Sequence, residues 1–235
     1  MTFSMKRSMA ILYKDYKDVS KNLYVSTTVF LPLVMAAIYG RMGIEAIDAH
    51  YMVINMIFSL VAAYVQCSLI AEEKEKNTLR GLMLSPASTL EILFGKSLLS
   101  FISTIAVIII AAFLTGYNPD NVIIVGMAII LSAVFYIGIG TLLGLLTKSV
   151  MEASVVILPI MMIFSFGSFL TPFIEKYPVL IFIEYLPNLQ LIDLANQVEA
   201  GAGLSDVWSH LAAIIVWTAA VFALVVAVYK KRMMD

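Results

Sequence analysis

Six long apolar runs constrain the fold of this chain more than any other feature. They cover residues 24–40, 51–71, 97–115, 122–147, 150–174 and 207–229. A helix needs about 20 mostly apolar residues to cross a lipid bilayer. The chain is 61% hydrophobic and 13% charged, whereas soluble domains are about 45–50% apolar and about 25% charged. The sequence therefore predicts an all-α membrane protein with six transmembrane helices, organised as a single domain over residues 1–235.

The distribution of basic residues predicts the orientation of these helices. If the N-terminus is cytosolic, all but two of the 15 Lys and Arg residues fall on the cytosolic side, and only Arg41 and Lys176 fall outside. Cytosolic loops of membrane proteins carry such an excess of Lys and Arg. We therefore expect a multi-pass protein with both termini in the cytosol, together with the loop that follows the second apolar run.

Residues 1–23 precede the first run, and their pattern predicts an amphipathic helix. Apolar side chains recur every three or four positions, which places them on one face of a helix. These positions are Met5, Met9, Leu12, Tyr16, Val19 and Leu23. Such a helix suits the membrane surface, with its apolar face toward lipid and its basic face toward the headgroups. An ordinary cytosolic helix that leads into the first span is the alternative interpretation.

Residues 72–96 separate the second and third runs and hold eight charged side chains. The same segment contains Leu79, Leu82 and Met83, whose apolar side chains need a cover from a protein partner or from the membrane surface. A solvated charged hairpin is the alternative. Ser85 and Pro86 predict the start of the next helix, with serine as the N-cap and proline in the first turn.

The sequence lacks the motifs of an enzyme or a metal protein. The Gly-Lys-Ser sequence at 95–97 resembles the end of a phosphate-binding loop, but Leu90 stands where that loop requires a glycine. We therefore predict that Lys96 lies at the membrane boundary and extends toward water. His50 and His210 are far apart, and no metal-ligand spacing is present. We expect no catalytic residue, no metal and no cofactor bound by the chain itself, and a net charge of -1 gives no reason to expect nucleic acid.

A few polar and small residues stand inside the apolar runs. No ionisable residue lies near the middle of a run, which argues against an ion-coupled carrier. Asn55 and Gln66 are interior polar residues of the second run, and each serves either helix packing or substrate contact. Gly140 and Gly144 are spaced so that another helix can approach closely, without indicating which one.

Residues 175–206 form the last outer segment. Residues 178–184 are apolar but too few to cross a membrane. Residues 188–200 then predict a short amphipathic helix with Leu189, Ile192 and Ala195 on one side. Two short helices before a final span are typical of a re-entrant or interfacial hairpin, and a surface cap among the headgroups is the alternative.

Several motifs together resemble the ABC-2 type permeases of ATP-binding-cassette transporters. Residues 73–86 are similar to the family pattern E-x-E-x-G-T-L-x-x-L-x-x-S/T-P, with Asn77 in place of the common glycine. Residues 92–96 are similar to the I-x-x-G-K step that follows. Segments 144–149, 159–172 and 186–189 resemble the later spans and the outer segment of the family. Asparagine adopts left-handed backbone more readily than most residues, so the departure at Asn77 is small.

The resemblance implies the membrane subunit of a bacterial exporter in the plasma membrane, moving a hydrophobic or amphipathic substrate such as a drug, peptide or lipid. It implies a cytosolic ABC ATPase partner that binds ATP and Mg²⁺, a second permease copy or paralogue in a dimer, and a re-entrant outer hairpin. ATPase-coupling candidates are Glu72, Glu73, Glu75, Thr78, Leu79, Arg80, Leu82 and Met83. Substrate-path candidates are Asn55, Phe58, Gln66 and Phe164, and outer-gate candidates are Phe182, Tyr185, Leu186 and Pro187. The alternatives are a non-transporting immunity or sensor protein on the same scaffold, and a self-contained channel or ion-coupled carrier.

Overall fold

The computed structural model describes residues 3–78, 87–170 and 177–234, which are helical and contain no strand. The α-helices are α1 (Met5–Lys21), α2 (Leu23–Met42), α3 (Ile47–Glu75), α4 (Thr89–Thr115), α5 (Val122–Leu146), α6 (Val150–Ser165), α7 (Pro187–Glu199) and α8 (Trp208–Met234). Two 3₁₀ segments, Gly167–Leu170 and Pro178–Tyr185, lie between α6 and α7. The predicted all-α class is confirmed.

Four of the described helices are long and apolar enough to cross a membrane. They are Ile47–Glu75, Glu91–Thr115, Val122–Leu146 and Trp208–Lys230. The first and fifth predicted runs correspond to α2 (Leu23–Met42) and α6 (Val150–Ser165), which are apolar helices outside this group of four. These two helices contain Pro32 and Pro159, each of which removes a backbone hydrogen bond from the helix interior. The chain is thus an all-α membrane protein, and the count of six spans stays a prediction.

Helix α3 forms the centre of the bundle. Its apolar stretch is completely buried, and it contacts α2, α4, α5, α6 and α7. A helix that is apolar on all sides needs neighbours on all sides, and α3 has them. Residues Phe58–Tyr64, near its middle, are wound as a π-helix, a wider winding that is uncommon and occurs frequently at functional sites.

Helix α5 packs directly on α3 through two glycines. A Cβ atom on Gly140 would lie 2.3 Å from the carbonyl oxygen of Ala63, and one on Gly144 would lie 2.8 Å from the Cβ of Ile70. The close approach that the glycine spacing predicts therefore occurs, and its partner is α3.

A polar network ties α3 to both α4 and α5 inside the apolar bundle. The Gln66 amide nitrogen donates to Ser97 Oγ at 3.2 Å and to Thr141 Oγ1 at 3.0 Å. Its amide oxygen accepts from Ser100 Oγ at 2.8 Å. Both ends of the Gln66 amide thus join helices, as buried polar groups require.

Helix α7 turns its apolar side inward. Leu189, Ile192 and Ala195 are all buried, and the helix packs against α8, α5 and α3. The predicted helix at 188–200 therefore agrees with Pro187–Glu199 to within one residue at each end. Whether this hairpin re-enters the membrane stays a prediction.

Candidate functional site

Helix α1 packs across the first turns of α4. The face that it buries carries Ser8, Ile11 and Asp15, which are spaced three and four positions apart. Of the predicted apolar face, Met9 and Tyr16 are exposed, whereas Leu12 and Val19 are partly buried and pack against the core. The buried face is thus rotated from the predicted one, and the exposed apolar side chains beside it suit the membrane surface.

The contact between α1 and α4 depends on Gly95. A Cβ atom there would lie 2.7 Å from the carbonyl oxygen of Ser8 and 3.1 Å from the Cβ of Ile11. The glycine of the Gly-Lys-Ser sequence therefore permits close helix packing.

Four charged side chains meet where α1, α3 and α4 come together, and we call Lys14, Asp15, Glu73 and Lys96 the ion cluster. Lys96 Nζ donates to Asp15 Oδ2 at 3.0 Å and to Glu73 Oε1 at 3.3 Å. Lys14 also pairs with Glu73. The side chains of Lys96, Asp15 and Glu73 are at most 4% exposed, whereas that of Lys14 is 44% exposed.

The prediction that Lys96 extends toward water is wrong. Its ammonium is buried and is surrounded by the two carboxylates of the ion cluster and, at 3.5 Å, the carbonyl oxygen of Leu69. The carboxylates supply the contacts that water would otherwise make. One of them, Asp15, is 81 residues away in the chain, so local sequence gave no sign of it.

The ionisation of Asp15 depends on its neighbours. Burial raises the pKa of this carboxyl above its usual value, while the ammonium groups of Lys96 and Lys14 act in the opposite direction. Burial favours the neutral carboxyl and a nearby positive charge favours the carboxylate. The two lysines are therefore what favours the charged form of Asp15.

A second link joins α1 to the first turn of α4. Ser88 is the N-cap of α4 and forms a capping box with Glu91. The Glu91 carboxylate also accepts from Arg7, with Nε at 3.0 Å and a terminal nitrogen at 2.6 Å, and from the backbone N–H of Ser4. The prediction of Ser85 as the cap is wrong, because the box satisfies the free N–H groups at Ser88. Ser85 itself lies outside the described residues.

Replacing Arg7 by alanine is expected to loosen α1 from the bundle, because it removes the forked contact to Glu91. We expect trypsin to cleave after the exposed Lys17 about two- to fivefold faster, since local opening controls access to the helix. The rate is measured by mass spectrometry of the protein in detergent. Lys6→Ala, an exposed basic neighbour, is the control, and equal cleavage rates for the two variants would contradict the role of Arg7.

The end of α3 also holds the turn between α5 and α6. Lys74 Nζ donates to the carbonyl oxygen of Leu145 at 2.8 Å and to that of Thr147. Glu75 accepts from the backbone N–H of Val150 at 2.9 Å. A cation thus sits at the C-terminus of α5 and an anion at the N-terminus of α6, which both helix dipoles favour.

The chain leaves α3 through Asn77. This residue has φ 54°, in the left-handed region where the family pattern has glycine. Thr78 then donates to the backbone oxygen of Glu73 at 3.3 Å and to its carboxylate, while Glu72 pairs with Lys76. The coupling candidates Leu79, Arg80, Leu82 and Met83 follow, and they lie outside the described residues.

Three of the four substrate-path candidates come together between α3, α5 and α6. The rings of Phe58 and Phe164 both contact that of Tyr136, with centroids 5.0 and 5.4 Å apart. The backbone oxygen of Asn55 accepts from Ser165 Oγ at 3.4 Å. The side-chain oxygen of Asn55 is buried and has no hydrogen-bond partner in the described part of the chain. The fourth candidate, Gln66, lies elsewhere, in the polar network between α3, α4 and α5.

The outer-gate candidates lie where the second 3₁₀ segment meets α7. Phe182 and Tyr185 are each 59% exposed, whereas Leu186 and Pro187 are buried. The indole N–H of Trp217 in α8 donates to the backbone oxygen of Tyr185 at 2.8 Å, so this junction is tied to the last helix.

The residues of α1 in these links were missed by the sequence interpretation. Asp15 lies on the same helix face as Ser8 and Ile11. Their spacing of three and four positions is a pattern in the sequence that could have indicated a second buried face. The Ser-x-x-Glu pattern at 88–91 was a second signal, since it is that of a capping box. No local pattern marked Arg7 or Lys14 among the other basic residues.

A comparison with known families identifies the larger group. A profile described as ABC-2 family transporter protein matches residues 45–227. The chain belongs to this ABC-2 family. The matched part of this ABC-2 family member runs from the loop before α3 into α8. It includes Glu73 and Lys96 of the ion cluster and leaves out α1. A comparison with curated proteins gives no match. As a member of the ABC-2 family, the chain is a membrane-embedded transporter permease.

Proposed function

We propose that the chain is the permease subunit of a bacterial ABC exporter in the plasma membrane. It moves a hydrophobic or amphipathic substrate outward as part of a permease dimer, while a separate cytosolic ABC ATPase binds ATP and Mg²⁺. Besides the family, one observation carries the proposal. The residues that lead into segment 79–86 are tied at once to α1, α4, α5 and α6.

These ties give the end of α3 a mechanical role. A displacement of this end by the ATPase reaches α1 and α4 through Glu73, and it reaches the α5–α6 turn through Lys74 and Glu75. Separating a buried charge from its partner costs about 3–5 kcal/mol. The contacts at Glu73 are therefore expected to hold while the helices move, so that α1 and α4 follow the end of α3.

The substrate path is proposed to open between α3, α5 and α6. Phe58, Phe164 and Tyr136 close this region by mutual ring contacts, and Asn55 adds an unpartnered oxygen among the described residues. Aromatic rings beside a few buried polar groups suit a hydrophobic or amphipathic substrate. The π-helical turns that begin at Phe58 place an irregular, more easily rewound stretch of α3 at this point.

Leu79→Glu and Leu82→Glu are expected to uncouple the transporter. Each places a charge in the apolar strip that we assign to the ATPase contact, where burying an unpaired charge is strongly unfavourable. The chain should insert normally but lose co-purification with the ATPase and lose ATP-driven transport into inverted vesicles. Leu79→Met and Leu82→Met keep the strip apolar and serve as matched controls, with transport expected near the wild-type level.

Several outcomes would contradict the proposal. Normal co-purification and transport by the glutamate variants would remove the coupling role of the segment. ATP hydrolysis by the purified chain alone would overturn the assignment of ATP chemistry to a separate subunit. Ion flux through the lone chain in vesicles would instead support a self-contained channel.

A further inference from the structure

A cavity of about 410 Å³ opens at the end of the bundle opposite α1. Helix α1 sits at the start of α4 and the end of α3, whereas this cavity lies beside the start of α3 and the end of α4. Its polar lining consists of Glu45, His50, Thr115, Tyr117, Asn118 and Glu199. The substrate-path candidates between α3, α5 and α6 are not among its described lining residues. The cavity is therefore distinct from the proposed substrate path.

The charges of the cavity lining are negative. The described lining residues include two carboxylates, Glu45 and Glu199, and no Lys or Arg. Glu45 is exposed at the rim, and Glu199 is half-buried. Two carboxylates in the lining of one cavity, without a cation among the described lining residues, attract a positively charged group.

Glu199 accepts a hydrogen bond from Tyr117, whose hydroxyl in turn contacts that of Tyr51. Tyr117 Oη donates to Glu199 Oε1 at 3.4 Å, and the hydroxyls of Tyr117 and Tyr51 are 3.2 Å apart. Burial raises the pKa of Tyr117 to about 12, so its hydroxyl keeps its proton at neutral pH and remains a donor. The carboxylate is thus oriented at the cavity wall before any ligand arrives, which lowers the cost of binding.

His50 supplies an independent sign of a ligand. The residue is 6% exposed, and its Nδ1 atom has no hydrogen-bond partner in the described ranges. The ring lines the cavity and is stacked on Tyr117, with centroids 4.8 Å apart. Leaving a buried nitrogen unpaired is costly. With the ring proton on Nε2, Nδ1 is an acceptor, and a ligand N–H is the group that it lacks.

The residues do not suit a metal ion. No group of three His, Cys, Asp or Glu side chains among the described residues is placed to hold one. We propose that the cavity binds an organic cation through an ammonium or guanidinium group, whose N–H groups donate to Glu45, Glu199 and His50 Nδ1. This site does not depend on the ATPase.

The proposal is tested by isothermal titration of the purified chain in nanodiscs of phosphatidylcholine, a lipid without net charge. The probe is L-arginine amide, and saturable binding to the wild-type chain is expected. Glu199→Gln is expected to weaken it about tenfold, because it removes a charge-assisted hydrogen bond, and Glu45→Gln/Glu199→Gln to abolish it. His50→Phe keeps an aromatic ring for the stack on Tyr117 and should also weaken binding.

The controls separate this site from a general attraction to acidic surface. Glu184→Gln removes a carboxylate that does not line the cavity and should leave binding unchanged. Tetramethylammonium carries a positive charge without N–H donors and should bind more weakly than the probe. Both glutamine substitutions nearly conserve side-chain volume. The double variant therefore tests the role of the two carboxylates in binding even if the His50 variant misfolds.

Absence of saturable binding to the wild-type chain would overturn the proposal, and so would equal affinity in the wild-type and double-glutamine chains. These results are distinct from a failure of the exporter proposal. Leu79→Glu is expected to lose the ATPase while it retains binding of L-arginine amide, because the two regions lie at opposite ends of the bundle.

Discussion

Replacing Lys96 by methionine is expected to destabilise the protein by about 3–5 kcal/mol, because the carboxylates of Asp15 and Glu73 lose their buried cation and keep the partly exposed Lys14. Methionine conserves most of the side-chain volume, so the effect reports on the charge. Burial alone favours the neutral form of Asp15, so the variant is expected to take up protons on folding. The measurement is thermal unfolding in detergent followed by circular dichroism, with trypsin cleavage of α1 as a local readout.

Two comparisons make the Lys96 result specific. Lys14→Met removes the other lysine of the ion cluster, whose side chain is 44% exposed, and should cost about 1 kcal/mol or less. The triple variant Asp15→Asn/Glu73→Gln/Lys96→Met has no unpaired buried charge and should recover much of the lost stability. Equal unfolding temperatures for the two single variants would contradict the buried ion cluster.

Replacing Gly140 by alanine is expected to push α5 away from α3. The added methyl would lie 2.3 Å from the carbonyl oxygen of Ala63 and 2.9 Å from its Cα, and backbone atoms of two packed helices cannot move aside cheaply. Overpacking typically costs 1–3 kcal/mol, and we expect about 3 kcal/mol here, because both helices are buried. The same circular-dichroism measurement should show a clear fall in unfolding temperature.

Gly126→Ala is the matched control in the same helix. A Cβ atom there meets nothing within 4 Å among the described atoms, and alanine stabilises a helix relative to glycine by up to about 1 kcal/mol. The control variant should therefore be as stable as the wild type or slightly more so. Similar losses in the two variants would show that glycine flexibility matters and that the contact with α3 does not.

The helices of the bundle were predictable because each is marked by its own residues. The apolar runs, the glycine and proline turns and the amphipathic pattern at 188–200 are local features, and the observed helices follow them closely. The run that contains Pro32 appears as α2 (Leu23–Met42), and in the run that contains Pro159 the α-helix ends at Ser165. The predicted N-cap of α4, Ser85, lies three residues before the observed one, because the capping box that satisfies the first N–H groups is formed by Ser88 and Glu91.

The candidate site was only partly predictable. The sequence drew attention to residues 72–78 through their charge, but it did not indicate that consecutive residues there have different partners. Glu73 contacts α1 and α4, whereas Lys74 and Glu75 contact the α5–α6 turn. Successive side chains of a helix point in different directions, so their partners follow from the arrangement of neighbouring helices.

The sequence by itself determined that this is an all-α membrane protein and where its apolar helices lie, because transfer of a helix into lipid depends on about 20 consecutive residues. Its motifs also placed it among the ABC-2 permeases. Only the tertiary structure decided that Lys96 is buried against Asp15, 81 residues away, and that the glycines of α5 meet α3. The environment of a charge or a glycine is set by whichever distant segment packs on it, and in this bundle those segments come from other helices.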